Sequence, residues 1–177
     1  MNATIKKCLI AFYSRKGQNI VGGRIADLKV GNTEVVANMI QTKAGGDTFH
    51  IESVTGYPED YMETTEVARK ELHSKARPKL TGRIEHMESY DVIFLGFPIW
   101  WGTMPMPVYT FLESYDFSGK TIVPFCTHEG SGMGHSERDI IKACPKATVL
   151  EGIAIYGASA SSAGSRVSSW IHELGIS

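Results

Sequence analysis

Apolar positions along the chain alternate between short continuous runs and stretches where they recur every three or four residues. Residues 5–13 form the first run, as expected of a strand covered on both faces. Val35, Val36, Met39 and Ile40 follow at helical spacing behind Asn32 and Thr33, both good N-cap types, and Gly45-Gly46 stops that helix before a brief strand at 47–51. Pro58 opens a polar helix that runs to about Lys75, where Arg77-Pro78 ends it. Residues 91–97 are the strongest buried-strand signal, followed by a short helix at 107–114. A further strand at 121–126 contains Pro124, which removes one ladder donor and is expected near the strand end or at a bulge. Helices at 137–143 and 165–174 flank a strand at 149–156, and Val167, Trp170, Ile171 and Leu174 trace one stripe of the last helix. This alternation predicts an α/β fold: a five-stranded, doubly wound parallel sheet of order 2-1-3-4-5 between two helix layers. No repeat or linker divides the chain, so residues 1–177 are expected to form a single domain.

Composition changes this picture little but excludes several function classes. Apolar residues make up 42% and charged residues 21% of 177 positions, ordinary values for a globular chain able to bury a core without staples. Eighteen Lys and Arg against nineteen Asp and Glu leave a net charge of −1, without the electrostatic footprint of a nucleic-acid binder. Cys8, Cys126 and Cys144 form no CxxC pair, and the histidines lack metal-ligand spacing; buried thiols in a reducing cytoplasm are the simplest reading, and no metal is expected. The apolar run near the N-terminus is shorter than a secretory or membrane-spanning segment requires, so a cytoplasmic location away from membranes is expected.

In an open parallel sheet, ligands bind beyond the carboxyl ends of the strands, and three loops here leave such ends. The first begins Ser14-Arg15-Lys16-Gly17 and resumes as Gly31-Asn32-Thr33-Glu34 before the first helix. Its hydroxyls, amide and free backbone N–H groups suit a phosphate, although simple capping by Asn32 or Thr33 explains them equally well. Between the two halves, at about 16–30, Gly22-Gly23 joins two β-capable stretches and predicts a small hairpin inserted in the loop. The second loop, Pro98, Ile99, Trp100, Trp101, Gly102 and Thr103, offers flat aromatic surfaces; an isolated tryptophan pair would belong to the core, but its place at a strand's carboxyl end between Pro and Gly favours a planar ligand. In the third, Thr127, His128, Glu129, Gly130 and Gly132 expose backbone N–H groups among glycines. Neither GxGxxG after the first strand nor GxxxxGK[ST] is present, which argues against a Rossmann nicotinamide site and a P-loop nucleotidase.

Together the three loops resemble the flavodoxin family, in a branch whose phosphate loop is split. The resemblance rests on Phe12-Tyr13-Ser14-Arg15, Val30-Gly31-Asn32-Thr33-Glu34, the stretch from Tyr90 to Pro98-Ile99-Trp100-Trp101-Gly102, and Phe125-Cys126-Thr127 through Gly132. It implies an FMN cofactor, with Ser14, Asn32 and Thr33 at the 5′-phosphate and Arg15 a weaker candidate beside it. Pro98 to Gly102 would flank the isoalloxazine, a backbone group near Gly102 or Thr103 would face the flavin N5, and N–H groups of His128 to Gly130 would reach the pyrimidine edge. The stacking tyrosine of many family members is missing from the third loop, where His128 and Glu129 stand instead. The resemblance favours an electron carrier with reductase and acceptor proteins as redox partners. The near-neutral charge and the missing tyrosine point instead to an NAD(P)H oxidoreductase acting on quinones, nitroaromatics or flavin. A homodimer is compatible with either, and a flavin-free interaction domain is the remaining alternative.

Overall fold

The computed structural model describes residues 6–176, so Ile5 of the first predicted strand lies outside them. Five parallel segments carry the sheet: β1 (Cys8–Phe12), β4 (Asp47–His50), β5 (Val92–Pro98), β6 (Thr121–His128), and a last strand in two pieces, β7 (Thr148–Val149) and β8 (Ile153–Tyr156). Their order is β4-β1-β5-β6-β7, with β8 also paired to β6, which is the expected 2-1-3-4-5 arrangement. Helices α1 (Asn32–Ala44), α2 (Tyr61–Ser74), α3 (Met106–Glu113), α4 (Ser136–Ala143) and α5 (Gly164–Glu173) connect them. The period of two along each strand sends alternate side chains to opposite faces. Leu9, Ala11, Ile93, Leu95 and Phe97 join one core with Phe111 of α3 and Ile140 of α4. Ile10, Phe12, Phe94 and Phe125 join the other with Ile40 of α1 and Val167 and Ile171 of α5. Among the described residues no helix is long and apolar enough to cross a membrane.

The insertion in the first loop is the expected hairpin: β2 (Gly17–Val21) pairs antiparallel with β3 (Arg24–Leu28) across Gly22-Gly23. Both turn glycines have positive φ, +60° and +79°, as a two-residue hairpin turn demands.

Three boundaries differ from the sequence reading, each for a local reason. Helix α2 starts at Tyr61 rather than Pro58, because the Asp60 side chain caps it by accepting from the Glu63 amide at 2.9 Å. Helix α1 is capped from outside. Gly31 holds the N-cap position and Ser14 Oγ accepts from the Glu34 amide at 3.1 Å, leaving Asn32 and Thr33 free of that role. The last strand breaks at residues 150–152. Pro124 sits opposite the break, with Ile122 paired to Val149 and Phe125 to Ile153, so the last strand carries one extra residue there. The Ile122 carbonyl accepts from the Leu150 amide at 3.0 Å, so by strand alternation the missing Pro124 donor faces this gap. Glu137 fills part of it by accepting from the Gly152 amide at 2.8 Å.

Candidate functional site

The three loops meet at the carboxyl ends of β1, β5 and β6. The first is drawn together in two halves: Ser14 closes on the start of α1, while the hairpin between them folds toward α2 and the third loop. Thr33 is buried and its hydroxyl lies 2.8 Å from that of Thr127, tying the first loop to the third. The amides of Asn32 and Thr33, in the first turn of α1, have no backbone partner within the helix and are left for a ligand. Arg15 stands in the same loop, but its guanidinium is engaged elsewhere. It donates to the carbonyls of Pro58 at 2.9 Å and Glu59 at 2.8 Å, clamping the hairpin base to the segment before α2. Gln18 completes the clamp by accepting from the Tyr61 amide at 3.0 Å.

In the second loop, Trp100 and Thr103 exchange backbone hydrogen bonds of 2.8 and 3.2 Å around a two-residue turn. Trp101 and Gly102 have φ of +52° and +80°, the type I′ pattern. A left-handed tryptophan costs about 1–2 kcal/mol, so surrounding contacts must hold it. Trp101 Nε1 donates to the Thr65 carbonyl at 3.0 Å, and the Gly102 carbonyl accepts from the His135 amide at 2.9 Å. The two tryptophans part company: Trp101 is half exposed, whereas Trp100 packs edge-on against Tyr57 and Tyr13, with centroids at 5.0 and 5.3 Å. Tyr57 in turn donates to Glu71 at 2.6 Å. Ile99 joins this loop to the third, its amide donating to the Thr127 carbonyl at 3.0 Å.

The third loop organises itself around His128. Its Nδ1 accepts from the amides of Gly130 at 2.9 Å and Gly132 at 3.1 Å. Those two N–H groups are therefore turned toward the imidazole. The His128 amide, on the same side of β6 as the Ile122 carbonyl, faces β8 in the sheet, so of the expected amides that of Glu129 is the one left for a ligand edge. Tyr156, from β8, packs edge-on against the same ring at 5.8 Å. Burial lowers the His128 pKa from its ordinary 6.5; Glu129 opposes the shift and Arg166 adds to it. A histidine whose folded pKa lies below its unfolded one stabilises the fold above the unfolded value and loses that contribution as pH falls. Wild type is thus expected to lose thermal stability between about pH 6.5 and 5 more steeply than His128→Asn, whose side-chain oxygen accepts the same amides without titrating. Melting curves across that range check the difference, and parallel slopes would count against it.

Glu129 reaches across the cleft to the hairpin, its Oε2 accepting from the Gly22 amide at 2.8 Å. Gly157, just after β8, makes room for this: a Cβ there would lie 2.9 Å from Asn32 Nδ2 and collide with Glu129 Oε1. Two adjoining cavities result. A narrow cleft of about 120 Å³ lies among Asn32, Thr33, Pro98, Trp100, His128 and Glu129. An apolar cavity of about 400 Å³ between α2 and the second loop is lined by Tyr61, Met62, Ala68, Trp100 and Trp101. They share Arg15, Asn19, Tyr61, Ile99 and Trp100 as walls. Ser14, Gly102 and the loop glycines Gly130 and Gly132 stand outside these walls; Ser14 borders a separate opening with Lys16, Glu52 and Glu59. Tyr57, Gly157 and the hairpin contact of Glu129 belong to the site but carry no motif that the sequence could have exposed, whereas Tyr13, part of the first-loop motif, backs Trp100.

A search of curated proteins finds no significant match. The sequence profile of the flavodoxin family matches residues 26–174. A candidate flavoprotein from Bacteroides eggerthii is 27% identical, with a TM-score of 0.79 over 97% of this chain and 99% of its own. Another from Bacteroides uniformis is 28% identical, with a TM-score of 0.75 over 96% and 99%. A Lactobacillus acidophilus flavoprotein solved in complex with FMN shares the fold at 21% identity, with a TM-score of 0.66 over 90% and 99%. With the profile spanning most of the sequence and the sheet order, split loop and tryptophan turn all in place, the chain belongs to the flavodoxin family.

Proposed function

We propose that this protein binds FMN and carries electrons between larger partner proteins, a reductase and an acceptor. The observation that supports it best is the convergence of the three loops on one cleft, hydroxyls and open amides at one end and Pro98 to Trp100 at the other. The groups suit FMN: a dianionic phosphate matches the open N–H groups at the start of α1, and a flat apolar ring matches the Pro98–Trp100 wall. Ser14, Asn32 and Thr33 would hold the phosphate; Pro98 to Gly102 and the amide of Glu129 would border the ring. The bound flavin would supply one- and two-electron redox chemistry, and the protein would set its electrostatics.

Arg15 contributes by fixing the hairpin, and Glu129 places a carboxylate on the cleft wall, where it would disfavour the negative charge of a reduced flavin. Glu129→Gln keeps an oxygen for the Gly22 amide while removing the charge. It is expected to raise the reduction potential by a few tens of millivolts, a two-electron couple moving about 30 mV per tenfold change. Redox titration of both proteins measures the difference; coincident titrations would sink a role for this carboxylate.

Glu59, Asp60 and Glu63 are exposed around the start of α2, whose Tyr61 and Met62 line the apolar cavity with Trp101, while Glu66 is paired with Arg69 at 2.8 Å. Unpaired acid is thus concentrated near the cleft although the net charge is only −1. That local field favours docking of a basic redox partner and supports the carrier reading. The 400 Å³ apolar cavity adjoining the cleft favours the second reading, an NAD(P)H oxidoreductase with room for an aromatic substrate. Purified protein reconstituted with FMN is expected to be yellow and to oxidise NAD(P)H only when a reductase is added. Rapid turnover with a quinone and no added reductase establishes the enzyme instead, and failure to take up FMN removes both.

A further inference from the structure

The tryptophan turn is held from behind by a polar cluster that the sequence does not announce. Asp139, on α4, gathers three donors on the single oxygen Oδ2: the Thr103 hydroxyl at 2.7 Å, the Tyr109 hydroxyl at 2.7 Å and His135 Nδ1 at 2.8 Å. The Thr103 and Tyr109 hydroxyls are themselves 2.8 Å apart. Each hydroxyl has one proton, so with both directed at Asp139 none remains between them, and the carboxylate organises the group. Thr103 is 1% exposed and is the closing residue of the turn. His135 touches the same turn twice. Its amide donates to the Gly102 carbonyl, and a Cβ on Gly102 would lie 3.4 Å from its Nε2.

The plain alternative is that Asp139, in the first turn of α4, merely complements the helix dipole. A dipole contact asks only for negative charge near the helix start. It does not require the carboxylate to accept from a residue thirty-six positions upstream, nor from a tyrosine of α3. Partial burial alone would raise the Asp139 pKa; the bonds from Thr103, Tyr109 and His135 outweigh it and hold the carboxylate below its usual range. An unprotonated acceptor oxygen is therefore what this cluster is built around.

The geometry points to Asp139 as a positioning residue: it locks Thr103 and His135 so that the left-handed Trp101-Gly102 turn presents a fixed backbone edge to the flavin. This rests on the FMN reading for what the turn faces, but the brace itself is a property of the polypeptide. Two variants separate positioning from the dipole. Asp139→Asn keeps an oxygen acceptor and loses the charge, whereas Asp139→Ala loses both. Thr103→Val removes the partner hydroxyl with little change of shape.

Hydrogen exchange on the flavin-free chain tests the brace directly through the Thr103 amide, which donates to the Trp100 carbonyl at 3.2 Å. Asp139→Ala and Thr103→Val are each expected to speed its exchange at least tenfold relative to amides of β5, the double variant no more than either alone, and Asp139→Asn to restore most of the protection. On the FMN-loaded protein, Asp139→Ala is expected to shift the equilibrium constant for flavin reduction at least threefold, with the affinity for oxidised FMN changed less than that. Unchanged Thr103 exchange in Asp139→Ala, or Asp139→Asn as impaired as Asp139→Ala, overturns the proposal. If wild type takes up no FMN, the cofactor reading fails, while the exchange result still decides whether the brace exists. Should Asp139→Ala not fold, Thr103→Val carries the same comparison.

Discussion

Gly31→Ala is expected to weaken FMN binding by at least about a hundredfold, roughly 2.7 kcal/mol, while changing riboflavin binding far less. Gly31 has φ −65° and ψ 149°, which any residue adopts, so the obstacle is space rather than backbone strain. A Cβ there would collide with the Ser14 hydroxyl and lie 2.6 Å from the Arg15 carbonyl oxygen and 2.8 Å from its carbon. A serine hydroxyl can rotate; the Arg15 carbonyl, three residues past the end of buried β1 and in a residue whose side chain is clamped to Pro58 and Glu59, cannot move without taking the loop along. The hydroxyl so displaced also caps the Glu34 amide, and loss of a cap costs about 1 kcal/mol. The methyl group would thus wedge apart the two halves of the loop at the point where open amides and hydroxyls converge. Calorimetric titration of both proteins with FMN and riboflavin reads this out. Equal losses for the two ligands would show that the phosphate lies elsewhere.

Gly96→Ala is expected to remove about 3 kcal/mol of stability, at the upper end of what overpacking a core usually costs. Gly96 pairs with Phe125 across β5 and β6, and both are fully buried. The tip of the Phe125 ring covers the glycine, so an added Cβ would lie 2.7 Å from Cε1 and collide with Cζ and Cε2. No rotamer escape is cheap, because Phe125 shares its core with Ile10, Phe94 and Val167. Urea unfolding measures the loss, and Phe125→Leu on the Gly96→Ala background is expected to recover part of it. Additive losses in the double variant would mean that the two side chains do not compete for the same space.

Much of this was legible in the sequence because it depends on local pattern. Residues 92–98 form a strand buried on both faces, and an unbroken apolar run has few other uses. Gly22-Gly23 between β-capable residues announced its hairpin, since few other residue pairs adopt two consecutive positive φ values. The carboxyl-end rule then placed three loops together without any knowledge of side-chain contacts. What escaped depends on distance in sequence. Asn32 and Thr33 look like caps, and only the fold reveals that Ser14 performs that role from another segment. Arg15 looks like a phosphate ligand until Pro58 and Glu59 arrive to occupy it. The glycines of the third loop suggested open N–H groups, but His128 turns back to accept two of them. The Asp139 cluster joins residues 103, 109, 135 and 139 through side chains alone, with no spacing to betray it. Pro124 did signal an irregularity; which neighbouring strand would absorb it depended on the direction its missing donor faces.

That irregularity has a consequence for how copies of the protein behave toward one another. The outermost strands of a sheet offer unpaired backbone groups on which another chain can add. Here one flank is β4, only four residues long. The other is the divided last strand, whose two- and four-residue pieces are thrown out of line by the extra residue, with the Gly152 amide already taken by Glu137. Neither flank presents a long straight template. At a net charge of −1, electrostatic repulsion does little to keep molecules apart in a crowded solution. Resistance to edge-to-edge aggregation is therefore carried by the shape of the sheet. A change that straightened the last strand would be felt first as lost solubility rather than as a lost fold.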